Sequence, residues 1–99
     1  MKLNHSLNKI HTIKLASLPT PLDEAKRLAD KIGLSKLFIK RDDLTGLAGG
    51  GNKARKLEYD FAEIKNGAFD VVITAGGIQS NHARMTAAAA RKLGLDIKL

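Results

Sequence analysis

Residues 70–94 read DVVITAGGIQSNHARMTAAAARKLG, so that a short apolar run, a glycine pair and an alanine-rich segment follow one another. The β-branched run at 71–74 predicts a strand over residues 70–75, of the kind that is buried on both faces. The alanine-rich segment predicts a slim helix over residues 80–93, which Gly94 ends. A strand, a tight turn and a helix in this order are typical of an α/β fold.

The same succession of elements occurs nearer the N-terminus. Apolar residues within 22–32 recur at helical spacing, which predicts a helix there after two prolines. A short strand over 36–40, a glycine-rich loop over 45–51 and a helix from 52 to about 65 follow. With a last strand over 95–99, the sequence predicts an open, mostly parallel sheet. We expect this sheet to be incomplete, because no helix follows the last strand to cover it.

The composition is that of a single globular domain. The 99 residues include 43% hydrophobic and 27% charged residues, and a chain of this length holds one modest domain. A net charge of +7 leaves open a non-catalytic basic module that binds nucleic acid or another polyanion. The 17 Lys and Arg residues are scattered and form no basic block, which favours a solvated surface.

The composition also bears on the compartment. The chain has no cysteine, so disulfides and thiolate metal sites are excluded, and a reducing, cytoplasmic compartment is expected. The N-terminal residues contain no apolar run long enough for a signal sequence or a membrane span.

The first glycine turn leads into GGNKARKLEY at residues 50–59, which places Lys53 at the start of a helix. The positive end of the helix dipole and the nearby Arg55 and Lys56 disfavour a protonated amine at this position. A neutral lysine amine is a nucleophile that can form a Schiff base and then act as a general base. The alternative is a solvated lysine on a basic helix.

The second glycine turn gathers polar side chains in TAGGIQSNH at residues 74–82. Ligands of open α/β sheets bind at such carboxyl ends of strands. Ser80 fits either a helix N-cap or a catalytic hydroxyl, and His82 fits either a site or the surface. No acidic relay partner is evident for Ser80 and His82, so a Ser-His-Asp hydrolase is poorly supported.

Three runs carry a family resemblance over nearly the whole chain from Leu18 onward. They are LPTPLDEAKRLADKIG, LFIKRDDLTGLAGGGNKARKLEY and ITAGGIQSNHARMTAAAARKLGL. Together they resemble the opening third of the D-cysteine desulfhydrase and 1-aminocyclopropane-1-carboxylate deaminase family. This family belongs to the tryptophan-synthase-β-like, fold type II group of pyridoxal-phosphate enzymes. The resemblance implies that residues 1–99 are the N-terminal fragment of such an enzyme domain.

The resemblance implies a cofactor site for pyridoxal 5'-phosphate on both turns. Lys53 matches the lysine that forms the Schiff base with the cofactor, and Asn81 matches a residue beside the pyridine ring. Lys56 matches a position that helps to hold the phosphate, and Asn52 is a further cofactor contact. The later part of such enzymes supplies the phosphate loop, the group facing the pyridine nitrogen and active-site tyrosines, so we expect the fragment alone to be inactive.

The resemblance also implies the substrate and the assembly. Ser80, which matches a serine acting at the substrate, would contact it together with Asn81 and His82. The histidine after Ser-Asn favours the desulfhydrases, which convert D-cysteine to pyruvate, ammonia and sulfide. Deamination of 1-aminocyclopropane-1-carboxylate is the alternative. The resemblance implies a homodimer in the full-length form, with a small amino acid as substrate and no metal, nucleic acid or membrane as partner.

Overall fold

The structure is a computed structural model that describes residues 6–99. Its strands and helices, in chain order, are β1 (Leu22–Glu24), α1 (Lys26–Ile32), β2 (Phe38–Lys40), α2 (Lys53–Asn66), β3 (Val71–Ile73), α3 (Asn81–Lys92) and β4 (Asp96–Lys98). Short 3-10 turns at Asp42–Leu44 and Leu47–Gly49 join β2 to α2. Among these residues, no helix has the length and apolar character needed to cross a bilayer.

The C-terminal half of the chain confirms the predicted strand, turn and helix unit. β3 and β4 pair in parallel with Val72 opposite Ile97, and α3 lies between them in the chain. The prediction that residues 70–75 form a strand buried on both faces is wrong for this chain. Val71 and Ile73 are 39% and 73% exposed, because only the face that carries Val72 and Ile97 packs against the helices.

The N-terminal half pairs its strands differently from the sequence prediction. The helix predicted over residues 22–32 begins only at Lys26, and Leu22–Glu24 is a strand. Two prolines hold the chain extended just before it, and β1 then pairs antiparallel with Phe38–Lys40. The strand predicted over residues 36–40 therefore belongs to a separate two-stranded sheet and does not extend the parallel sheet of β3 and β4.

The core lies between α2 and α3. Its largest buried side chains are Leu57 and Phe61 of α2 and Met85 of α3, each no more than 2% exposed. Ala89 and Ala90 are fully buried on α3, and such small side chains allow a close approach of neighbouring elements. Burial of each large side chain contributes about 1.5–3 kcal/mol, so this interface fixes the two helix starts relative to each other.

A buried carboxylate fastens the N-terminal segment to this core. Glu58 of α2 accepts the backbone N–H groups of Leu15 at 2.9 Å and of Ala16 at 3.2 Å through Oε2. The N–H of Ile13 donates to the backbone carbonyl of Glu58 at 3.0 Å. These bonds satisfy three N–H groups of a segment that has no strand partner within residues 6–99.

Candidate active site

The first glycine turn is held by a buried threonine. Thr45 is 0% exposed, and its hydroxyl donates to the carbonyl of Gly51 at 2.7 Å and accepts the N–H of Gly51 at 2.8 Å. Gly50 has a φ of 89°, and a Cβ atom there would lie 2.0 Å from the carbonyl oxygen of Asp43. No other residue type fits this position without moving the backbone. The loop that precedes α2 is thus closed tightly on itself.

This loop delivers Lys53 as the first residue of α2, where the sequence predicts it. Lys53 is half-buried, whereas Lys56, one turn further along the helix, is exposed. Asn52 occupies the position before the helix, but its side chain makes no capping hydrogen bond. Its amide is therefore not used for the helix end and is available to a ligand.

A charge pair connects the first turn of α2 to the 3-10 turn at Asp42–Leu44. Arg55 donates to both carboxylate oxygens of Asp42, at 2.6 and 2.8 Å, and to the hydroxyl of Thr20 at 3.0 Å. Thr20 in turn donates to Asp42 at 2.7 Å. These hydrogen bonds, first from Arg55 and then from Thr20, hold the pKa of Asp42 well below its usual range. In return, the carboxylate of Asp42 raises the pKa of Arg55. The cation two residues after Lys53 in the chain is thus compensated by an anion.

The second turn places the three predicted polar residues at the start of α3. Ser80 is the N-cap, and its Oγ accepts the N–H of Ala83 at 3.1 Å. Gly76 lies so close that a Cβ atom there would be 2.5 Å from the Ser80 Oγ. Because a hydroxyl has one proton and two lone pairs, the capping bond leaves the proton of Ser80 free to be donated.

Asn81 and His82 follow this cap with different surroundings. The Oδ1 atom of Asn81 accepts a hydrogen bond from Arg84 at 3.1 Å, and the side chain is otherwise exposed. The Nδ1 atom of His82 is buried, yet it makes no hydrogen bond within residues 6–99. Buried polar atoms of folded proteins are nearly always paired, so this nitrogen is a candidate ligand contact.

The two turns meet across the α2–α3 interface. Nη2 of Arg84 donates to the carbonyl oxygen of Gly50 at 3.2 Å, and Met85 packs against Gly51. The structure therefore brings the loop that ends at Lys53 against the helix that begins at Asn81. These two segments are about 30 residues apart in the sequence, and Arg84 and Met85 join them.

Sequence reasoning missed the residues that hold the turns in place. Thr45, Asp42 and Thr20 gave no periodic or motif signal, because their partners lie 6 to 35 residues away in the chain. Arg84 is different. It lies three residues after Asn81, and side chains at this spacing are neighbours on a helix. Helical spacing could have pointed to its contact with Asn81, but the sequence analysis did not single out Arg84, and its contact with Gly50 has no local signal.

Comparisons with known proteins identify the family. Residues 13–99 match the family described as pyridoxal-phosphate dependent enzyme. The chain is 50% identical over 91 residues to the D-cysteine desulfhydrases of Salmonella paratyphi B and Salmonella newport, which covers 92% of this chain and 27% of each relative. It therefore spans about a quarter of the length of these curated relatives.

A solved structure gives the same result at the level of the fold. The crystal structure of an ACC deaminase homologue superposes on 97% of this chain with a TM-score of 0.88 and 46% sequence identity, and 29% of that protein is covered. The α/β, fold type II architecture is thereby confirmed. Because the family match includes both glycine turns and the helices that follow them, the chain belongs to the pyridoxal-phosphate-dependent enzyme family.

Proposed function

We propose that this chain supplies the lysine-bearing turn and the substrate-facing turn of a pyridoxal-phosphate-dependent lyase that acts on D-cysteine. One observation carries the proposal: Arg84 contacts both Gly50 and Asn81, so that the turn before Lys53 lies against the turn that holds Ser80. The 50% identity to D-cysteine desulfhydrases supports the same reaction. The activity belongs to a complete enzyme of which this chain is one segment.

The side chains at the two turns fit pyridoxal phosphate in their chemistry. Lys53 offers a primary amine to the aldehyde, and Lys56 offers an exposed ammonium near a helix start to the phosphate. The amide groups of Asn52 and Asn81 can donate to oxygen or nitrogen atoms of the ring. The buried Nδ1 of His82, which has no hydrogen-bond partner among residues 6–99, is a polar atom that fits a bound amino acid. We propose these residues as the contacts to cofactor and substrate.

The residues of this chain then divide the chemistry between them. When bound, pyridoxal phosphate supplies an electron sink that stabilises negative charge on the α-carbon of the substrate. The free amine of Lys53 accepts the α-proton as a general base. The hydroxyl of Ser80, whose proton is not used in the helix cap, donates to the substrate. The overall reaction consumes one water and releases pyruvate, ammonia and hydrogen sulfide.

The second candidate is deamination of 1-aminocyclopropane-1-carboxylate. The fold match to an ACC deaminase homologue favours it, and the histidine at position 82 argues for the desulfhydrase. The two reactions make different demands on Lys53. The cyclopropane substrate has no α-proton, so ring opening requires attack or proton removal elsewhere on the ring.

Parallel assays of the complete enzyme with the two substrates test the proposal. We expect a yellow protein that releases sulfide from D-cysteine and no ammonia from 1-aminocyclopropane-1-carboxylate. Ammonia from the cyclopropane without sulfide from D-cysteine would support the deaminase. A colourless protein that is inactive on both and binds nucleic acid would instead support the non-catalytic basic module.

We also propose that the complete enzyme is a cytoplasmic homodimer. The absence of cysteine fits a reducing compartment, and the exposed apolar face of β3 fits burial against another surface. Light scattering of the complete enzyme at several concentrations measures its oligomeric state, and a constant monomer mass would contradict the dimer.

A further inference from the structure

Arg84 lies where the two glycine turns meet. It is on the first part of α3, three residues after Asn81. A single nitrogen, Nη2, donates to the backbone carbonyl of Gly50 at 3.2 Å and to the side-chain Oδ1 of Asn81 at 3.1 Å. The Nη1 atom lies against Gly49, at 3.4 Å from the place that a Cβ atom would occupy. One guanidinium group thus touches both turns.

The bond to Asn81 decides which end of its amide faces a ligand. An asparagine side chain has one carbonyl oxygen, which accepts, and one NH₂ group, which donates. Arginine only donates, so its partner in this bond has to be the carbonyl oxygen. The NH₂ group of Asn81 remains available to a ligand. It can donate to an acceptor atom of the ligand but cannot pair with a donor.

The hydrogen bond from Arg84 to Gly50 restrains the backbone that leads to Lys53. Thr45 holds the loop from within by two hydrogen bonds to Gly51, and Arg84 holds it from the neighbouring helix. Lys53 begins α2 three residues after Gly50, so a shift of this carbonyl is carried to the lysine. Arg84 therefore links the position of Lys53 to the orientation of Asn81.

The partners of Arg84 indicate a geometric role. No salt bridge to Arg84 is found within residues 6–99, and both of its acceptors there are neutral oxygen atoms. Arg91 on the same helix provides a contrast. Its side chain is exposed, as that of Arg84 is, but it pairs with the carboxylate of Asp96 at 3.0 Å and donates to the carbonyl of Leu95. Arg91 thus donates hydrogen bonds to two acceptor residues, as Arg84 does, but it lies seven residues further along α3 and touches neither glycine turn in the part of the chain that is described.

We infer that Arg84 is a positioning residue that couples the two halves of the cofactor site by fixing Lys53 and Asn81 relative to each other. Its effect on turnover rests on the proposed function, whereas its effect on the loop does not. A misplacement of about 1 Å at a reacting group can cost up to about 100-fold in rate. Loss of the Arg84 bonds should therefore appear in kcat/KM and in cofactor affinity.

The test uses the complete enzyme with Arg84→Met, which keeps the apolar stem and removes the donors, and with Arg91→Met as the matched control. In the cofactor-free enzyme, Arg84→Met should speed hydrogen exchange in a peptide covering residues 46–57, and Arg91→Met should not. With cofactor bound, Arg84→Met should lower kcat/KM at least about tenfold. In an Asn81→Ala background, Arg84→Met should lower kcat/KM by a smaller factor, because the bond between Arg84 and Asn81 is already absent.

Arg84→Lys provides the rescue and a variant of closer structure. Both bonds come from one nitrogen, so an ammonium group with three donors should restore part of the loss. Equal exchange and equal kcat/KM in the Arg84→Met and Arg91→Met enzymes would overturn the inference, as would a full effect in the Asn81→Ala background. If the parent enzyme binds no cofactor, the proposed function fails, while the exchange measurement still decides the role of Arg84.

Discussion

We propose that Ser80 makes two uses of one hydroxyl group. Its oxygen caps α3 by accepting the N–H of Ala83, and its proton is left for a substrate. A Cβ atom at position 76 would clash with this oxygen, so glycine at that position leaves room for the Ser80 side chain. The cap and the proposed action on a substrate use different parts of the hydroxyl, so the two roles are separable by substitution.

Ser80→Ala and Ser80→Gly separate these roles. Alanine removes the cap, which should lower the free energy of unfolding by about 0.5–2 kcal/mol, whereas glycine at an N-cap costs only a few tenths. Both changes remove the hydroxyl proton and should lower kcat by about 10²–10⁴-fold, with the yellow colour retained. Urea unfolding and steady-state kinetics of the two complete enzymes measure this. Unchanged kcat in the glycine variant would leave Ser80 only the role of a helix cap.

Lys53 is expected to carry the covalent bond to the cofactor. It alone combines the glycine turn, the helix start and the position of the family lysine. Borohydride reduction of the complete enzyme followed by peptide mapping should place the pyridoxyl group on Lys53, and Lys53→Ala should abolish the label. Lys56→Ala serves as the control, because it should weaken cofactor affinity and leave the label in place. A label on Lys40 or Lys56 would contradict the assignment.

Among the elements, the unit formed by β1, α1 and β2 has little core of its own. Leu22, Ile32 and Phe38 are each at least half exposed. The pair of Arg55 with Asp42 and Thr20 connects this unit to the start of α2. Its place in the fold therefore depends more on polar contacts than on apolar burial.

Asp42→Asn should make the stability difference from the parent depend on pH. The folded pKa of Asp42 lies below the value of about 3.9 in an unfolded chain, so its ionised form stabilises the fold. This contribution is complete above about pH 5 and is lost as the pH falls below about 4 toward the folded pKa. Thermal unfolding of the complete enzyme should show a less stable variant at pH 7 and a shrinking difference below pH 4.

Asp30→Asn is the control for this measurement. Asp30 pairs with Lys26 on the surface of α1, with 62% of its side chain exposed. An exposed pair at this spacing contributes about 0.3–0.5 kcal/mol, so its removal should change little. A pH-independent difference between the Asp42→Asn variant and the parent would contradict the role of the ionised carboxylate.

Gly50→Ala tests the tight closure of the lysine loop. The change forces a side chain into the left-handed region, which alone costs about 1–3 kcal/mol, and sets its Cβ against the carbonyl of Asp43. Gly94→Ala shares the positive φ, at 74°, but has open space around its Cβ. Chemical unfolding should therefore show a larger loss for Gly50→Ala, with weaker cofactor binding. Equal losses in the free energy of unfolding for Gly50→Ala and Gly94→Ala would show that the loop accommodates a Cβ atom at position 50 without extra strain.

Elements that local sequence determines could be predicted, and elements that depend on distant partners could not. Helical periodicity and glycine stops located α2 and α3 to within one residue of their observed ends. Leu22–Glu24 has helical apolar spacing but becomes a strand, because its partner Phe38–Lys40 lies elsewhere in the chain. The same holds for the site. The glycine turns pointed to Lys53 and Ser80, whereas no local signal pointed to the Asp42 network.

As a whole, the described chain is flat and extended. Its radius of gyration is 16.6 Å, whereas a compact domain of 100 residues has about 13 Å. Its extents are 52 × 37 × 18 Å, which leaves large apolar side chains such as Ile73 and Ile78 exposed. The chain covers 27% of the length of its relatives, so these surfaces fit burial in a larger assembly.

The 99-residue chain expressed alone should therefore self-associate and bind pyridoxal phosphate weakly or not at all. Exposed apolar strands promote association, and the two turns lack the enclosing groups that fix a ligand and exclude water. Light scattering and an absorbance scan of the purified chain measure both properties. A monodisperse, yellow preparation that releases sulfide from D-cysteine would contradict this view.

The bond of Glu58 to residues 13–16 has an evolutionary consequence. Its donors are main-chain N–H groups, which every amino acid except proline provides. Substitutions at Leu15 or Ala16 leave these bonds intact, so divergence there is limited only by the space in the core. Glu58 has less freedom, because aspartate is shorter and the neutral amide oxygen of glutamine accepts hydrogen bonds more weakly than a carboxylate. Substitutions should therefore be tolerated more often at Leu15 and Ala16 than at Glu58.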